Sequence, residues 1–279
     1  MSGLRRYERR KVALLTKHGK EKVIVPLLDT RLGCSIELVK GFDTDLLGTF
    51  TREIPRVGTQ LEAARQKARK GMELSGSSLG IASEGSFGLD PFIGMLPWNM
   101  ELLIWIDDEL GIEVVGIAQG AARGPRITSG DWQAIANFAT MEGFPEYQLV
   151  MRPDEKDDRR VCKDIASWER LKTSFDDCIA LSASKQVFLE LDMRAFANPQ
   201  RMERIEQAAT DLLKRLQSPC PICNTPGFWI RERQPGLPCG SCGLHMSEVW
   251  ACLCCEHKDI VMRTDRSTAD PVHCSFCNP

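Results

Sequence analysis

Hydrophobic and polar positions follow two periods along the first part of the chain, one typical of strands and one of helices. Short apolar runs such as Lys11–Thr16 and Leu79–Ala82 predict buried strands, and the clearest helical pattern covers Gly58–Glu73. The small and polar segment 83–88 predicts the end of the Leu79–Ala82 strand. The other predicted strands are Ser35–Val39, Glu101–Asp107, Ile112–Ala118, Tyr147–Met151 and Val187–Leu191, and the other predicted helices are Glu21–Asp29, Asp131–Met141, Arg159–Leu171 and Pro199–Leu216.

This alternation of strands and helices predicts an α/β fold with a mixed sheet, because helices that connect strands cover the faces of the sheet. The pattern ends near residue 217. Residues 218–279 contain few branched aliphatic residues and many Pro, Gly and polar residues, too few apolar groups to form a core alone. We therefore expect an α/β domain over 1–217 and a small zinc-ribbon-like module over 218–279.

Composition and charge exclude several classes of protein. With 43% hydrophobic and 27% charged residues, the chain is neither disordered nor fibrous. A net charge of −2 predicts no global attraction to nucleic acid or to anionic lipid. The apolar runs are much shorter than the roughly 18 residues of a membrane span, and the N-terminal residues do not resemble a secretion signal. We expect a cytoplasmic protein without a membrane partner.

The twelve cysteines are concentrated near the C-terminus, where nine of them lie between Cys220 and Cys277. A C-x-x-C turn directs two thiolates towards one tetrahedral metal ion, and a second turn completes its shell. Four such turns predict two structural Zn²⁺ sites of four thiolates each. The predicted ligands are Cys220, Cys223, Cys239, Cys242, Cys252, Cys255, Cys274 and Cys277.

The pairing of these turns is open from spacing alone. We expect sequential pairing, the first turn with the second and the third with the fourth, over the interleaved arrangement. Disulfides are the weaker alternative because cytosolic thiols stay reduced. A thioredoxin-like redox pair and an iron–sulfur cluster fit the spacing less well. Cys34, Cys162 and Cys178 lie outside these turns, and we expect them to be small buried hydrophobic residues.

The loop after the first strand contains the candidate anion-binding residues. Thr16, Lys17 and Lys20 lie where a strand ends and a helix begins, and backbone N–H groups at a helix start attract phosphate. Carboxylates lie in neighbouring segments, and a Mg²⁺–phosphate site requires such groups. Those carboxylates are Asp43, Asp45, Glu53, Glu62 and Glu84. The alternative is that the loop is a solvated basic turn and the acids serve solubility.

Two resemblances bear on function. The first rests on segments spread along nearly the whole chain and ends in the paired cysteine turns. These segments resemble an uncharacterised family of bacterial proteins, which implies no activity. They read YERRKVALLTKHGKEKV, FDTDLLGTFTREIPR, GIASEGSFG and LDMRAFANPQRM.

The second resemblance concerns the order of elements. The order of elements in the first part of the chain is similar to that in the inosine/xanthosine triphosphate pyrophosphatases. It consists of a strand that ends in a Thr/Lys loop, an acidic loop, a helix reading E-x-A-x-x-K-A from Glu62, and a strand followed by an acidic turn. This implies Mg²⁺-dependent cleavage of a nucleoside triphosphate. Glu53 and Glu84 would hold metal or activate water, Lys17 and Lys20 would contact phosphate, and Arg194 would lie near the base or phosphate.

A non-enzymatic function is the competing hypothesis. Zinc knuckles with interspersed basic and aromatic residues often bind nucleic acid or a protein partner. Arg231 and Lys258 supply such charge here, but acidic residues of the same segment dilute it. We therefore expect a nucleotide as the first candidate partner, with nucleic acid or protein binding by the zinc module as the alternative.

Overall fold

A computed structural model of the chain describes residues 6–44, 58–91, 93–238, 240–241, 245–261 and 267–268. Within these ranges the chain forms three sheets and five α-helices, and the mixed α/β class predicted from the sequence is confirmed. In this part of the chain, no helix combines the length and the apolar character that crossing a bilayer requires.

The first sheet has five strands in the order β2-β1-β3-β4-β5. Strand β1 lies parallel to both of its neighbours, whereas β3, β4 and β5 form an antiparallel meander. The strands are β1 (Lys11–Leu14), β2 (Ser35–Leu38), β3 (Leu79–Leu89), β4 (Pro97–Asp107) and β5 (Ile112–Ala121). The chain passes from β1 to β2 on one side and then returns to place β3 on the other side of β1.

Helices cover both faces of this sheet. One apolar core lies between the sheet and helices α1 (Glu21–Leu32) and α5 (Pro199–Leu216), and another lies between the sheet and α2 (Gln60–Ser75). Local sequence sets the helix ends. Thr59 and Glu62 form a capping box at the start of α2, and the Asn198 side chain caps α5 just before Pro199.

The second sheet is antiparallel, with four strands in the order β6-β9-β7-β8 and a core of its own. Helices α3 (Trp132–Met141) and α4 (Trp168–Leu181) pack against it. The strands are β6 (Arg126–Ser129), β7 (Leu149–Pro153), β8 (Cys162–Ile165) and β9 (Val187–Leu191).

A third sheet follows α5 and contains β10 (Trp229–Pro238), β11 (His245–Ala251) and β12 (Lys258–Val261) in antiparallel order. This small sheet lies in the cysteine-rich region, as expected for a ribbon-like module. The domain boundary near residue 217 stays a prediction, although α5 ends at Leu216.

Two predicted elements differ from the structure, and some observed strands were not predicted. The strand predicted to end at Ala82 continues to Leu89, because segment 83–88 pairs with β4 throughout. The helix predicted over Arg159–Leu171 is wrong, since strand β8 lies there and α4 begins at Trp168 after its Ser167 cap. Strand β6 has no predicted counterpart, because only one of its four residues, Ile127, is apolar.

Candidate metal centre and buried charged cluster

Two C-x-x-C turns meet in space and form a group that we call the cysteine knuckle: Cys220, Cys223, Cys252 and Cys255. Their sulfur atoms all lie within 4.8 Å of one another. The Sγ–Sγ distances are 3.8 Å for Cys220–Cys255 and 3.4 Å for Cys223–Cys252. These distances suit four thiolates around one metal ion, so the cluster could bind a metal ion.

Hydrogen bonds within the knuckle favour the thiolate form of its cysteines. The amides of Cys254 and Cys255 each donate a hydrogen bond to Cys252 Sγ at 3.3 Å. The side chain of Thr225 contacts Cys223 Sγ at 3.2 Å, and this hydrogen bond is the main cause that lowers the pKa of Cys223 to about 6. Donors that point at a sulfur favour its charged form.

The Cys255 thiol shows why a cation would favour the ionised form of the four cysteines. A backbone hydrogen bond at His257 lowers the pKa of Cys255, but burial and the neighbouring thiols outweigh it and raise that pKa to about 12. Four like charges cannot form together in so small a volume unless a metal ion neutralises them. Four protein ligands would complete the tetrahedral shell of a metal ion, and they would leave no open position for substrate.

The pairing of the turns differs from the expectation. The first turn meets the third, so the interleaved arrangement is correct and the sequential one is wrong for these two turns. The third turn follows the β10–β11 ribbon, which returns the chain to the first turn. The other predicted ligands, Cys239, Cys242, Cys274 and Cys277, lie outside the described residues, so the structure gives one four-cysteine site within the part that it describes.

The knuckle packs against the first sheet and α5. The amide of Gly227 donates to the carbonyl of Arg215 at 3.1 Å, and Phe228 pairs with Ser218. Leu253, between two of the ligands, packs against the core beneath α5. At Gly227 a Cβ would come within 2.6 Å of Leu253 and 2.9 Å of Val114 on β5, so only glycine allows this approach. The knuckle therefore contacts the α/β core through both backbone hydrogen bonds and apolar packing.

A second group of charged residues lies beyond the carboxyl end of β1 and beside the middle of β3. The chain leaves β1 for β2 on one side of it, and β3 lies on the other side of β1. The strand order therefore changes direction at the end of β1, and open α/β sheets bind ligands at such topological switch points. Lys20, which directly precedes α1, reaches this point. Its Nζ atom donates to the Ser83 carbonyl at 3.1 Å and contacts the Ser83 hydroxyl at 3.3 Å.

Two carboxylates flank Lys20 on opposite faces of the sheet. Glu84 pairs in register with Leu102, and Glu101 with Gly85, so Glu84 lies on the face that α2 covers and Glu101 on the face that α5 covers. On the first face, Lys67 of α2 forms an ion pair with Glu84.

On the other face, Arg201 of α5 donates from Nε to Glu101 Oε1 at 2.7 Å, and Asn99 donates to the same oxygen at 3.0 Å. A side chain at position 85 would collide with this ion pair, which explains the glycine there. The Asn198 cap fixes the first turn of α5, and Arg201 Nη1 also donates to the Met193 carbonyl.

We call these five side chains the charged cluster: Lys20, Lys67, Glu84, Glu101 and Arg201. The most exposed of them, Lys67, is only 12% exposed, and Glu101 is completely buried. Burial, with Arg201 as the next contribution, lowers the pKa of Lys20 to about 7. Glu101 Oε2 is buried without a hydrogen-bond partner among the described residues. Buried charge with a shifted pKa is typical of functional sites.

The structure brings together only some of the residues predicted for the site. Lys20 and Glu84 lie in the charged cluster. Thr16 lies in the same loop, where its hydroxyl contacts the Lys17 carbonyl at 3.3 Å. The side chain of Lys17 turns away from the cluster towards Asp43, 3.0 Å from its carboxylate.

Arg194 also forms ion pairs with residues outside the cluster. Its guanidinium pairs with Asp192 at 2.6 Å and with Asp164 at 2.9 Å, and its expected position near the base or phosphate stays a prediction. Glu62 caps α2, and Glu53 lies outside the described residues.

Lys67, Glu101 and Arg201 are the members of the cluster that the sequence analysis did not assign to the site. A signal existed for Arg201, because it occupies the buried stripe of α5 together with Ile205, Ala208 and Leu212. A charged residue on the apolar stripe of a helix requires a buried partner. Glu101 gives a weaker signal, as a carboxylate at the start of the apolar run Leu102–Ile106.

The fold and the knuckle together define an α/β protein with a mixed sheet and a C-terminal cysteine-rich region that could hold a metal ion. A family model described as a domain of unknown function, DUF6671, matches residues 67–279, and the chain belongs to this family. The expected membership in an uncharacterised family is thereby confirmed. A search of curated proteins found no match. The matched region contains the knuckle and every member of the charged cluster except Lys20.

Proposed function

We propose that this protein is a Mg²⁺-dependent hydrolase that cleaves a nucleoside triphosphate to the monophosphate and pyrophosphate at the charged cluster. The single observation that carries the proposal is the buried charge beyond the end of β1, where Lys20 lies near the Lys67–Glu84 pair on one face of the sheet and the Glu101–Arg201 pair on the other. A cytoplasmic location and Zn²⁺ as the knuckle metal belong to the same proposal, because thiolate ligands persist where cysteines stay reduced.

The charges of the cluster favour an anionic ligand. It contains three cationic side chains and two carboxylates, so the cations are in excess when Lys20 is protonated. Burial removes the solvent that would otherwise stabilise the charged amine of Lys20. With a pKa of about 7, this amine gains or loses its proton near neutral pH. A phosphate group next to Nζ would supply the missing negative charge, and it would favour the protonated amine.

An aromatic ring beside the same loop favours a nucleotide over inorganic phosphate. Phe196, which lies in the short 3₁₀ turn Ala195–Ala197, is 40% exposed. Its ring centroid is 5.7 Å from that of His18, two residues before Lys20, and the Arg194 guanidinium lies 4.8 Å from it. An exposed ring near a cation offers a stacking surface to a nucleobase.

The carboxylates of the cluster are too few to form a metal site from protein ligands alone. They fit better a Mg²⁺ ion that arrives bound to the triphosphate. Glu84 and Glu101 lie on opposite faces of the sheet, so one ion would take a single carboxylate of the cluster, and we assign this role to Glu84. Mg²⁺ commonly takes one or two carboxylates, with substrate oxygens and water completing its shell. When bound there it would neutralise charge on the phosphates, while Lys20 would orient them.

The experiment incubates the full-length chain with a panel of nucleoside triphosphates and Mg²⁺ and measures pyrophosphate. We expect release by the wild type and a loss of about two to three decades in kcat for Glu84→Gln, the scale of removing one strong electrostatic contact. Because Glu84 forms a buried ion pair, this variant is also less stable, so its rate is measured well below its melting temperature.

Glu73→Gln is the matched control, because Glu73 lies exposed near the end of α2 and pairs only with Lys70 among the described residues. It should keep the wild-type rate. An empty panel, or equal rates for Glu84→Gln and Glu73→Gln, would remove the hydrolase from consideration.

Exposed apolar residues in the cysteine-rich region favour a second candidate, binding of a protein partner. Ile222 is 71% exposed and Ile260 is 66% exposed. The exposed Arg231 and Lys258 alternate with acidic residues, which is a poor match to a polyanion. A mobility-shift assay at several salt concentrations separates the outcomes, since phosphate contacts with nucleic acid give a steep salt dependence.

A further inference from the structure

Two cysteines outside the knuckle face each other in the core of the second sheet. Cys162 is the first residue of β8, and Cys178 lies on the buried stripe of α4 with Leu171 and Phe175. Their sulfur atoms are 3.5 Å apart. Both were expected to be inert hydrophobic residues, but this proximity gives them a chemistry that neither has alone.

We propose that Cys162 and Cys178 are a peroxide-sensitive dithiol that forms an intramolecular disulfide. The two positions are 16 residues apart in the chain, and a disulfide would join the edge strand β8 to α4. This proposal is independent of the hydrolase and of the knuckle, since it rests only on the second sheet and its helix.

The two thiols differ in accessibility, and this sets the order of events. Cys162 is partly exposed at the sheet edge, whereas Cys178 is completely buried. Burial raises the pKa of Cys178 to about 12, with the Cys162 thiol as the next contribution, so Cys178 remains a thiol at neutral pH. The oxidant therefore reaches Cys162 first.

Hydrogen peroxide supplies the oxidising equivalents. The Cys162 sulfur attacks one peroxide oxygen, the O–O bond breaks, and water leaves as Cys162 becomes a sulfenic acid. The Cys178 sulfur then attacks the Cys162 sulfur, and the S–S bond forms as the S–O bond breaks. The hydroxyl leaves with the Cys178 proton as a second water. In sum, two thiols and one peroxide give one disulfide and two waters.

The sulfurs need only small movements to reach bonding distance. A disulfide requires a separation of about 2.05 Å, so the sulfurs must approach by about 1.5 Å. Cys162 lies next to a register irregularity in the β7–β8 pairing, between Leu149 and Met151. An edge strand with such an irregularity can adjust more easily than a central strand.

Peptide mapping tests this pair in the full-length, metal-loaded protein. After brief treatment with hydrogen peroxide, free thiols are alkylated and the chain is digested with trypsin. We expect a cross-linked pair of peptides, Val161–Lys163 joined to Thr173–Lys185, with a mass about 2 Da below the sum of the two free peptides, the loss of two thiol hydrogens. These peptides contain none of the C-x-x-C cysteines, so oxidation of the knuckle cannot produce the signal.

Two variants complete the design. In Cys178→Ser the cross-link should vanish, and dimedone should trap the sulfenic acid on Cys162. In Cys34→Ser the cross-link should persist, because Cys34 lies in a different core. Absence of the linked peptides from the oxidised wild type, whether Cys162 is recovered as a thiol or as a sulfinic acid, would overturn the proposal.

Discussion

The cysteine knuckle and the charged cluster both concentrate ionisable groups in a small volume, but they are assembled in different ways. The knuckle takes its four ligands from two short turns, and all four carry the same charge when ionised. The cluster takes five side chains from five different places in the chain, and their charges partly cancel. We therefore expect a cation to stabilise the knuckle, whereas the charges of the cluster are partly balanced by its own residues.

The largest expected effect concerns the metal of the knuckle. Removal of Zn²⁺ by a chelator, or the substitution Cys220→Ser, should unfold the cysteine-rich region, because a structural zinc supplies on the order of 10 kcal/mol to such a segment. Circular dichroism and metal analysis measure the loss. The matched control is Cys254→Ser, which removes an exposed cysteine beside the knuckle and should retain its metal. A chelated chain with an unchanged melting curve would contradict the structural role.

The next effect concerns the ion pair inside the cluster. Arg201→Met leaves the Glu101 carboxylate buried without its cationic partner, and we expect a loss of about 3–5 kcal/mol in the free energy of unfolding. Urea denaturation measures this change.

The double variant Glu101→Leu with Arg201→Met sharpens this test, since it removes both charges. It should recover most of the stability, because replacing a buried ion pair by apolar residues is often nearly neutral. A double variant that is stable but inactive would assign the pair to function, whereas one that is stable and active would assign it to folding alone.

A smaller effect concerns the pH dependence of stability. The pKa of Lys20 is about 7 in the folded protein and about 10.5 in the unfolded chain, so the unfolded chain binds more protons between these values. The contribution of Lys20 to stability therefore rises as pH increases through this window. In Lys20→Met this contribution should disappear, and the urea midpoint should rise less steeply between pH 7 and pH 9.5 than in the wild type.

The control for this measurement is Lys11→Met, which removes an exposed lysine at the opposite end of β1. It should keep the wild-type slope. Identical slopes in all three proteins would show that the Lys20 pKa is not shifted.

The ligands of the knuckle come from short local turns, whereas the cluster joins distant residues, and this difference explains how much of each the sequence could predict. C-x-x-C spacing is local, so it identified the knuckle ligands, but the partner of the first turn depends on how the β10–β11 ribbon folds back. Lys20 and Glu84 could be proposed because both follow apolar strand residues. The Glu101–Arg201 pair joins residues 100 positions apart, and no local pattern specifies that contact.

Glu84 shows the limit of turn prediction. Its neighbours Ser83, Gly85 and Ser86 are typical of turns, yet they lie within β3 because β4 pairs with the whole segment. Glycine at position 85 is required by the buried ion pair opposite it and not by a turn. A local signal was therefore present, but a contact across the sheet was its cause.

The most direct test of the central claim is calorimetric titration of the full-length chain with a non-hydrolysable nucleoside triphosphate and Mg²⁺. If the cluster binds the triphosphate, the wild type and Lys11→Met should bind one equivalent with equal affinity. Lys20→Met should bind at least about tenfold more weakly, the scale of one charge-assisted hydrogen bond. Equal affinity in all three proteins, or no binding by the wild type, would contradict the account.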